Sequence, residues 1–337
     1  MTIKVLVVDD SALLRKVLTN VLNDCSGIEV TDVARNGVEA LKLIEQSKPD
    51  LITLDVEMPM MNGLETLEAI KEKYKLPVIM LSSKTNEETT IQALELGAED
   101  FIEKPVSISE NWDVFQSDLS RRIKIHFTKE KQPLITEQPS KVLNDALLSK
   151  KNLLKAIVIG ASTGGPKALV KAIQAISPNL SIPVFIVQHM PEGFTASFAK
   201  RLDTAASIPV VEAEHGQKIR PGTVYLAPGA RHMTINGNHL ELDNRPKVHG
   251  VRPAVDYLFE TASHKYGRDI LGIIMTGMGS DGAPGCEVIK KNGGYVLTQD
   301  KASSIVYGMP RAVVERGLSD QTASLNDIAD ILKEMTR

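Results

Sequence analysis

Residues 160–165 read GASTGG, and that stretch offers two chemistries. Its first five residues fit G-x-S-x-G, a serine nucleophile on a sharp strand-to-helix turn. All six also resemble a dinucleotide-binding glycine loop, with Ser162 where the second glycine belongs. A side chain there obstructs the approach of backbone to pyrophosphate. The carboxylate expected about 20 positions on is missing as well, since the chain there reads PNLSIPVFIVQHM. No G-K-[ST] follows, so the loop is not a P-loop. A third reading is a structural turn, because Ser and Gly are common at helix starts. Nucleophilic chemistry needs a general base and an acid to orient it. His189 follows the next apolar run, VFIVQHMP, and Asp281 lies in the glycine-rich IIMTGMGSDG. His232, in APGARHM, is a rival base, and Asp281 could equally bond a turn amide. The order Ser, His, Asp differs from the Ser, Asp, His order of α/β-hydrolases, so the motif does not carry membership of that fold.

A second set of reactive residues lies near the N-terminus. Asp9 and Asp10 follow IKVLVV, Asp55 closes LITLD, Ser82 follows PVIML, and Lys104 precedes Pro105. On parallel neighbouring strands all five side chains converge on one sheet edge. Three carboxylates together repel one another unless a cation joins them. Mg²⁺, a hard ion that keeps several waters, is the natural match. The metal and Lys104 would draw an anionic phosphoryl group onto Asp55, with Ser82 donating to one of its oxygens. Any one aspartate alone reads as a helix cap, but the joint arrangement points to phosphoryl transfer.

The elements that must position these residues follow from periodicity. IKVLVV, IEVTDVA, LITLD, PVIML and DFIEK predict five strands, separated by amphipathic stretches such as LLRKVLTNVL and LETLEAIKEK. That alternation predicts a doubly wound five-stranded parallel sheet, α/β in class, with its working residues beyond the carboxyl ends of the strands. From about Lys124 to Asn152 the pattern fails, which predicts a linker with one short helix near VLNDALL. A second α/β domain starts at LLKAIVIGAS, with further strands at PVFIVQ, TVYLA, DILGIIMTG and GGYVLT. MTINGNHLEL carries Asn236-Gly237 between alternating runs and predicts a β-hairpin. RPAVDYLFETASHKYG predicts a helix with proline near its first turn and a stop at Gly267.

A length of 337 residues fits two domains at roughly 150 residues each. The net charge of −3 gives no bulk attraction for nucleic acid or acidic lipid. Cys25 and Cys286 form no C-x-x-C, which suggests a reduced intracellular compartment and no zinc site. The acid pair in MTIKVLVVDD cuts the N-terminal apolar run too short for a signal peptide. No apolar run approaches the ~20 residues of a membrane span.

Residues 1–122 resemble a response-regulator receiver domain, on Asp9-Asp10, Asp55 with the Met58-Pro59 turn, Ser82, and Lys104-Pro105. The resemblance implies that a chemotaxis histidine kinase phosphorylates Asp55 with Mg²⁺ bound. Asp10 and Asp55 would be direct ligands and the Glu57 backbone carbonyl a third, with Asp9 in support. Phe101 stands where such domains often carry a mobile aromatic, and an ordinary core aromatic is an equal reading.

Residues 153–337 resemble the catalytic domain of chemotaxis protein-glutamate methylesterases, the CheB family, with 123–152 as linker. The matching segments are GASTGG, QHMP at 188–191, APG at 227–229, RPAVD at 252–256 and TGMGSDG at 276–282. The resemblance implies a Rossmann-like esterase domain with Ser162 as nucleophile, His189 as base and Asp281 as orienting acid. It also implies the Met278 N–H as an oxyanion donor, Thr163 lining the site, and no cofactor there. The substrate would be glutamyl methyl esters of methyl-accepting chemotaxis receptors, with deamidation of receptor glutamines as a second activity. The family further implies that the unphosphorylated receiver packs over the esterase cleft and inhibits it; the expected form is a cytoplasmic monomer. NWDVF, at 111–115, resembles a receptor tether, but its place at the last receiver helix favours packing. A DNA-binding output domain would predict a small basic reader, which this chain lacks. A nucleotide-binding or non-catalytic output domain remains the alternative.

Overall fold

The computed structural model describes residues 2–83, 85–105, 112–127 and 145–337. The chain forms two compact units that meet in sequence between Pro133 and Leu134.

In the first unit β1 (Ile3–Val8), β2 (Ile28–Ala34), β3 (Leu51–Asp55), β4 (Val78–Ser82) and β5 (Asp100–Glu103) form one parallel sheet, ordered β2-β1-β3-β4-β5. Helices α1 (Ala12–Asn23), α2 (Gly37–Ser47), α3 (Gly63–Lys73), α4 (Glu87–Glu95) and α5 (Trp112–Ile125) alternate with the strands. Every residue of β3 and β4 is buried, as expected for strands covered on both faces. Local chemistry fixes the helix starts. The side chains of Ser11, Asn36 and Asn62 accept from the third amide on, and Asn62 and Glu65 complete a capping box.

Strand order reverses between β1 and β3, so Asp9, Asp10 and Asp55 leave the sheet at its switch point. Phe101 is buried in β5. Of NWDVF, Asn111 lies outside the described residues. The Trp112 and Phe115 rings lie 5.0 Å apart and pack on the core around Val5, Leu22 and Ile102, as the packing reading expects.

The second unit contains a seven-stranded parallel sheet and a separate hairpin. Its elements are α6 (Asp145–Leu148), β6 (Ala156–Ala161), α7 (Gly165–Gln174), β7 (Val184–Gln188), α8 (Phe194–Ala205), β8 (Val210–Glu212) and β9 (Val224–Leu226). They continue as β10 (His232–Asn236), β11 (His239–Asp243), α9 (Val255–Tyr266), β12 (Ile270–Ile274), α10 (Ala283–Lys291), β13 (Tyr295–Gln299), α11 (Met309–Glu315), β14 (Gln321–Ala323) and α12 (Leu325–Met335). The order is β14-β13-β12-β6-β7-β9-β8, and β10 pairs antiparallel with β11. Gly237, at φ 55°, supplies the tight hairpin turn.

Short α6 falls within the expected VLNDALL segment, while 128–144 lie outside the described residues. β8 and β14 are edge strands of three residues each, and no pattern that short was legible. Helix α9 begins after Ala254, with Pro253 just before its cap and so near the first turn, as expected. Gly267, at φ 56°, ends it as expected.

Candidate active site

Strand β6 is buried throughout and leaves the sheet at Ser162. The chain then turns through Gly164, in the left-handed region at φ 76°, and enters α7 with proline in its first turn. The Ser162 N–H donates to Thr276 O at 3.0 Å, and its carbonyl accepts from Gly165 N at 2.7 Å. One side of β6 pairs with β7, where Ala161 faces Gln188, so His189 leaves the sheet beside Ser162. The other side pairs with β12, where Gly160 faces Ile274, so the TGMGSDG loop emerges there. Strand order reverses between β6 and β12, so Ser162 and the TGMGSDG loop leave the sheet at its switch point and His189 leaves from the neighbouring strand. The loop lies directly on the serine: a methyl group on Gly277 would stand 2.8 Å from Ser162 Cβ and 2.4 Å from Met309 Sδ.

His189 Nε2 lies 2.8 Å from Asp281 Oδ2, and both side chains are largely buried. That contact leaves Nδ1 as the ring nitrogen free to take a proton. Asp281 is held from behind. Its Oδ2 also accepts from Val255 N at 2.7 Å, and its Oδ1 accepts from Asp256 N at 3.1 Å. Asp256 Oδ1 in turn accepts from Gly282 N and Gly285 N, each at 2.9 Å. Asp281 thus caps the start of α9, while Asp256, in the first turn of α9, caps the start of α10.

Electrostatics separate the two acids. Burial works against charge on Asp281, but hydrogen bonds from His189 and from the Val255 and Asp256 amides outweigh it and hold its carboxyl below the usual range. Burial and then the Asp281 charge push Asp256 up to about 6. Asp281 is therefore the anion that faces the imidazole.

His232 is occupied elsewhere. It is fully buried, its Nε2 lies 3.1 Å from Pro246 O, and its Nδ1 accepts from Ala254 N at 3.1 Å. Burial holds its ring below the usual histidine range, and it packs edge-on against Tyr257. Both nitrogens bind backbone that sets the approach to α9, so His232 shapes the fold. Thr163 is buried next to Ser162, and its carbonyl accepts from Thr276 Oγ1 at 2.9 Å. Among the described residues no acceptor takes the Met278 N–H and no partner takes the Ser162 hydroxyl.

The receiver edge also gathers its expected residues. Oxygen atoms of Asp9, Asp10 and Asp55 all lie within 4.8 Å of one another. Lys104 Nζ bridges two of them, 2.8 Å from Asp9 Oδ2 and 2.7 Å from Asp55 Oδ1. Burial pushes the Asp55 carboxyl up to about 6 against the pull of Lys104, and Asp9 and Asp10 add repulsion. Burial disfavours charge on Lys104, yet Asp55 and Asp9 hold its ammonium above the usual range. Three carboxylates around a single lysine leave excess negative charge, and that donor set fits a hard divalent cation. The Glu57 carbonyl accepts no hydrogen bond from the described residues, which leaves it available as a further oxygen ligand. Ser82 Oγ is turned to Thr90 Oγ1 at 2.5 Å and to Ser83 O at 3.1 Å, so it must leave these partners to reach a phosphoryl oxygen.

A family profile for CheB methylesterase matches residues 157–332, and one for the response regulator receiver domain matches residues 5–114. A relative from Pyrococcus abyssi, named protein-glutamate methylesterase/protein-glutamine glutaminase, is 44% identical over 97% of this chain and 92% of its own. The chain belongs to the CheB methylesterase family. A relative from Clostridium acetobutylicum with the same name is 41% identical over 99% of this chain and 98% of its own. The crystal structure of the Thermotoga maritima CheB methylesterase catalytic domain is 40% identical, with a TM-score of 0.53, and covers 54% of this chain and 98% of that one.

In this CheB-family chain a receiver domain is joined to a methylesterase domain. No helix among the described residues is long and apolar enough to cross a membrane. Sequence reasoning missed two supporting residues. Asp256 stood in the RPAVD segment and Gln188 in QHMP, but both were read only as motif letters. A buried acid in a helix's first turn and a glutamine at a strand's end were the available signals.

Proposed function

We propose that this chain is a phosphorylation-activated protein-glutamate methylesterase, with protein-glutamine glutaminase activity, that acts on methyl-accepting chemotaxis receptors in the cytoplasm. The observation that carries the reading is the buried His189–Asp281 pair at 2.8 Å, set at the strand ends beside Ser162. Ser162 Oγ attacks the ester carbonyl while His189 takes its proton, and the Asp281 anion stabilises the imidazolium. The Met278 N–H receives the oxyanion, and Thr163 lines the site. A lost oxyanion donor costs on the order of 3 kcal/mol of barrier. His189 then protonates methoxide, and water, deprotonated by His189, hydrolyses the acyl-enzyme to glutamate. With a glutamine amide the leaving group is ammonia. The reading assigns no cofactor to this site.

In the receiver, Asp55 accepts the phosphoryl group from a chemotaxis histidine kinase. Asp10, Asp55 and the Glu57 carbonyl would hold Mg²⁺, with Asp9 in support, and the ion would neutralise charge that develops on the phosphoryl oxygens. Lys104 and Ser82 would bind those oxygens. The domain limits in this reading are 1–122, 123–152 and 153–337, and the protein acts as a monomer.

The test is methanol release from a methylated chemoreceptor cytoplasmic fragment, with and without acetyl phosphate and Mg²⁺. Release should need Ser162, and acetyl phosphate should accelerate it only when Asp55 is present. A 153–337 fragment should exceed the unphosphorylated full chain. Unchanged release from Ser162→Ala would sink the esterase reading, and a fragment no faster than the full chain would sink the inhibition.

A further inference from the structure

We propose that Gln188 is the positioning residue that sets the spacing between the nucleophile and its base, an inference that rests on the esterase reading above. Strands β6 and β7 stay paired up to Ala161 and Gln188. One residue further on, the chains diverge into different turns, and the carbonyls of Ser162 and His189 run out of ladder partners. The Gln188 side chain donates to both, to Ser162 O beside the Gly165 N–H that this carbonyl already accepts and to His189 O. Its Nε2 donates to Ser162 O at 2.9 Å and to His189 O at 3.2 Å. One amide group thereby ties together the backbones of the two residues whose side chains must exchange a proton.

The orientation of that amide is dictated by what it touches. Rotated by half a turn, Gln188 would aim its oxygen at two carbonyl oxygens. As it stands, Oε1 is buried and has no hydrogen-bond partner, and the side chain is only 2% exposed. A buried acceptor left unpaired is unfavourable, and the brace is what the fold gains by keeping it. Gln188 also crowds the final glycine of GASTGG. A methyl group on residue 165 would lie 2.0 Å from Gln188 Oε1 and 2.9 Å from Ala161 Cβ, so close packing on the glutamine and on β6 accounts for the glycine without a phosphate. The Gly165 N–H, which a phosphate loop would present to its ligand, is donated to Ser162 O instead.

A loss of this brace should loosen the serine relative to the imidazole without touching the substrate pocket or the His189–Asp281 contact. The experiment is steady-state methanol release by the full chain with acetyl phosphate and Mg²⁺, comparing wild type, Gln188→Met and Gln188→Glu. Met keeps the length and removes both donors. Its kcat should fall on the order of 10²-fold, as misplacement of about an ångström does. KM should stay within about twofold and the pH midpoint of kcat/KM should not move. The glutamate variant discriminates further. Ionised, it repels both carbonyls; protonated, it can donate one hydrogen bond. The ratio of its kcat to that of Gln188→Met should therefore rise as pH falls.

A Gln188→Met kcat within threefold of wild type, with only the melting temperature lowered, would overturn the proposal and leave Gln188 a packing residue. A rise confined to KM would overturn it in favour of substrate contact. If Gln188→Met does not fold, the pH response of Gln188→Glu, measured as its own kcat over that of wild type, decides alone: a flat ratio overturns the proposal. Wild type that releases no methanol fails the esterase reading itself, and the positioning role falls with it.

Discussion

Asp281→Asn tests the whole site with the smallest change of shape. The carboxylate accepts at both oxygens: Oδ2 takes His189 and the Val255 amide, and Oδ1 takes the Asp256 amide. Asparagine has one acceptor oxygen and one NH₂ group, so one of these positions must turn donor against donor. If the NH₂ group faces Asp256 N, the start of α9 loses part of its cap. If it faces His189, it forces the tautomer with the proton on Nδ1, the nitrogen that must receive the Ser162 proton. In neither orientation is there an anion to stabilise the imidazolium.

The expected loss is about 10⁴-fold in kcat, which is about 5 kcal/mol of barrier, with KM nearly unchanged. Stability should fall by roughly 1–3 kcal/mol for the unsatisfied amide. Its pH dependence has a definite sign. Burial and Asp281 hold the Asp256 carboxyl at about 6, above its ordinary 3.8. A raised acid contributes stability that is full below about pH 4 and is lost as pH rises through about 6. With the Asp281 charge removed, that loss is smaller. The gap in melting temperature between wild type and variant should therefore narrow from pH 4 to pH 7. Methanol release and thermal melts measure both quantities. A variant whose kcat stays within tenfold of wild type would refute the assignment of Asp281.

The two histidines should separate cleanly. His189→Ala should abolish methanol release, whereas His232→Ala should leave the His189–Asp281 pair in place and lower the melting temperature by several degrees, because Ala254 N and Pro246 O lose their partner. Asp256→Ala should cost roughly 1–2 kcal/mol by uncapping α10, more at pH 5 than at pH 8 by the sign just given; an equal loss at both would contradict the raised carboxyl. In the receiver, Asp55→Asn should stabilise the chain more at pH 7 than at pH 5 without Mg²⁺, since ionised Asp55 is buried and faces Asp9 and Asp10. Millimolar Mg²⁺ should raise the melting temperature of wild type and leave that of Asp55→Asn nearly unmoved, as read by scanning calorimetry.

Most of the receiver was legible because each strand is a β-branched run bounded by charge or turn residues. IKVLVV, IEVTDVA and LITLD match β1, β2 and β3 residue for residue. In the second unit β6 and β7 were legible for the same reason, and with them the placing of Ser162 and His189 on one edge. β8 and β14 were not, since three residues at a sheet edge carry no period. The choice between His189 and His232 was also closed to pattern. Both follow or open strands, and only the backbone partners of His232 reveal its structural work. Asp256 and Gln188 act on residues 26 positions away, and such pairings arise only when the sheet brings strand ends together.

The crossed capping of α9 and α10 also orders events while the chain is being made. Serine and imidazole stand on adjacent strands and can take their places as soon as β7 pairs with β6. The acid lies 92 residues beyond the imidazole, past the hairpin and past α9. Until it arrives, α9 lacks the carboxylate that seats its first amides, and α10 finds its own carboxylate already waiting on α9. A nascent chain thus carries Ser162 and His189 before Asp281, the carboxylate that faces the imidazole, has been made. The acid reaches the imidazole only with the loop that starts α10, when α11 and α12 are still to follow.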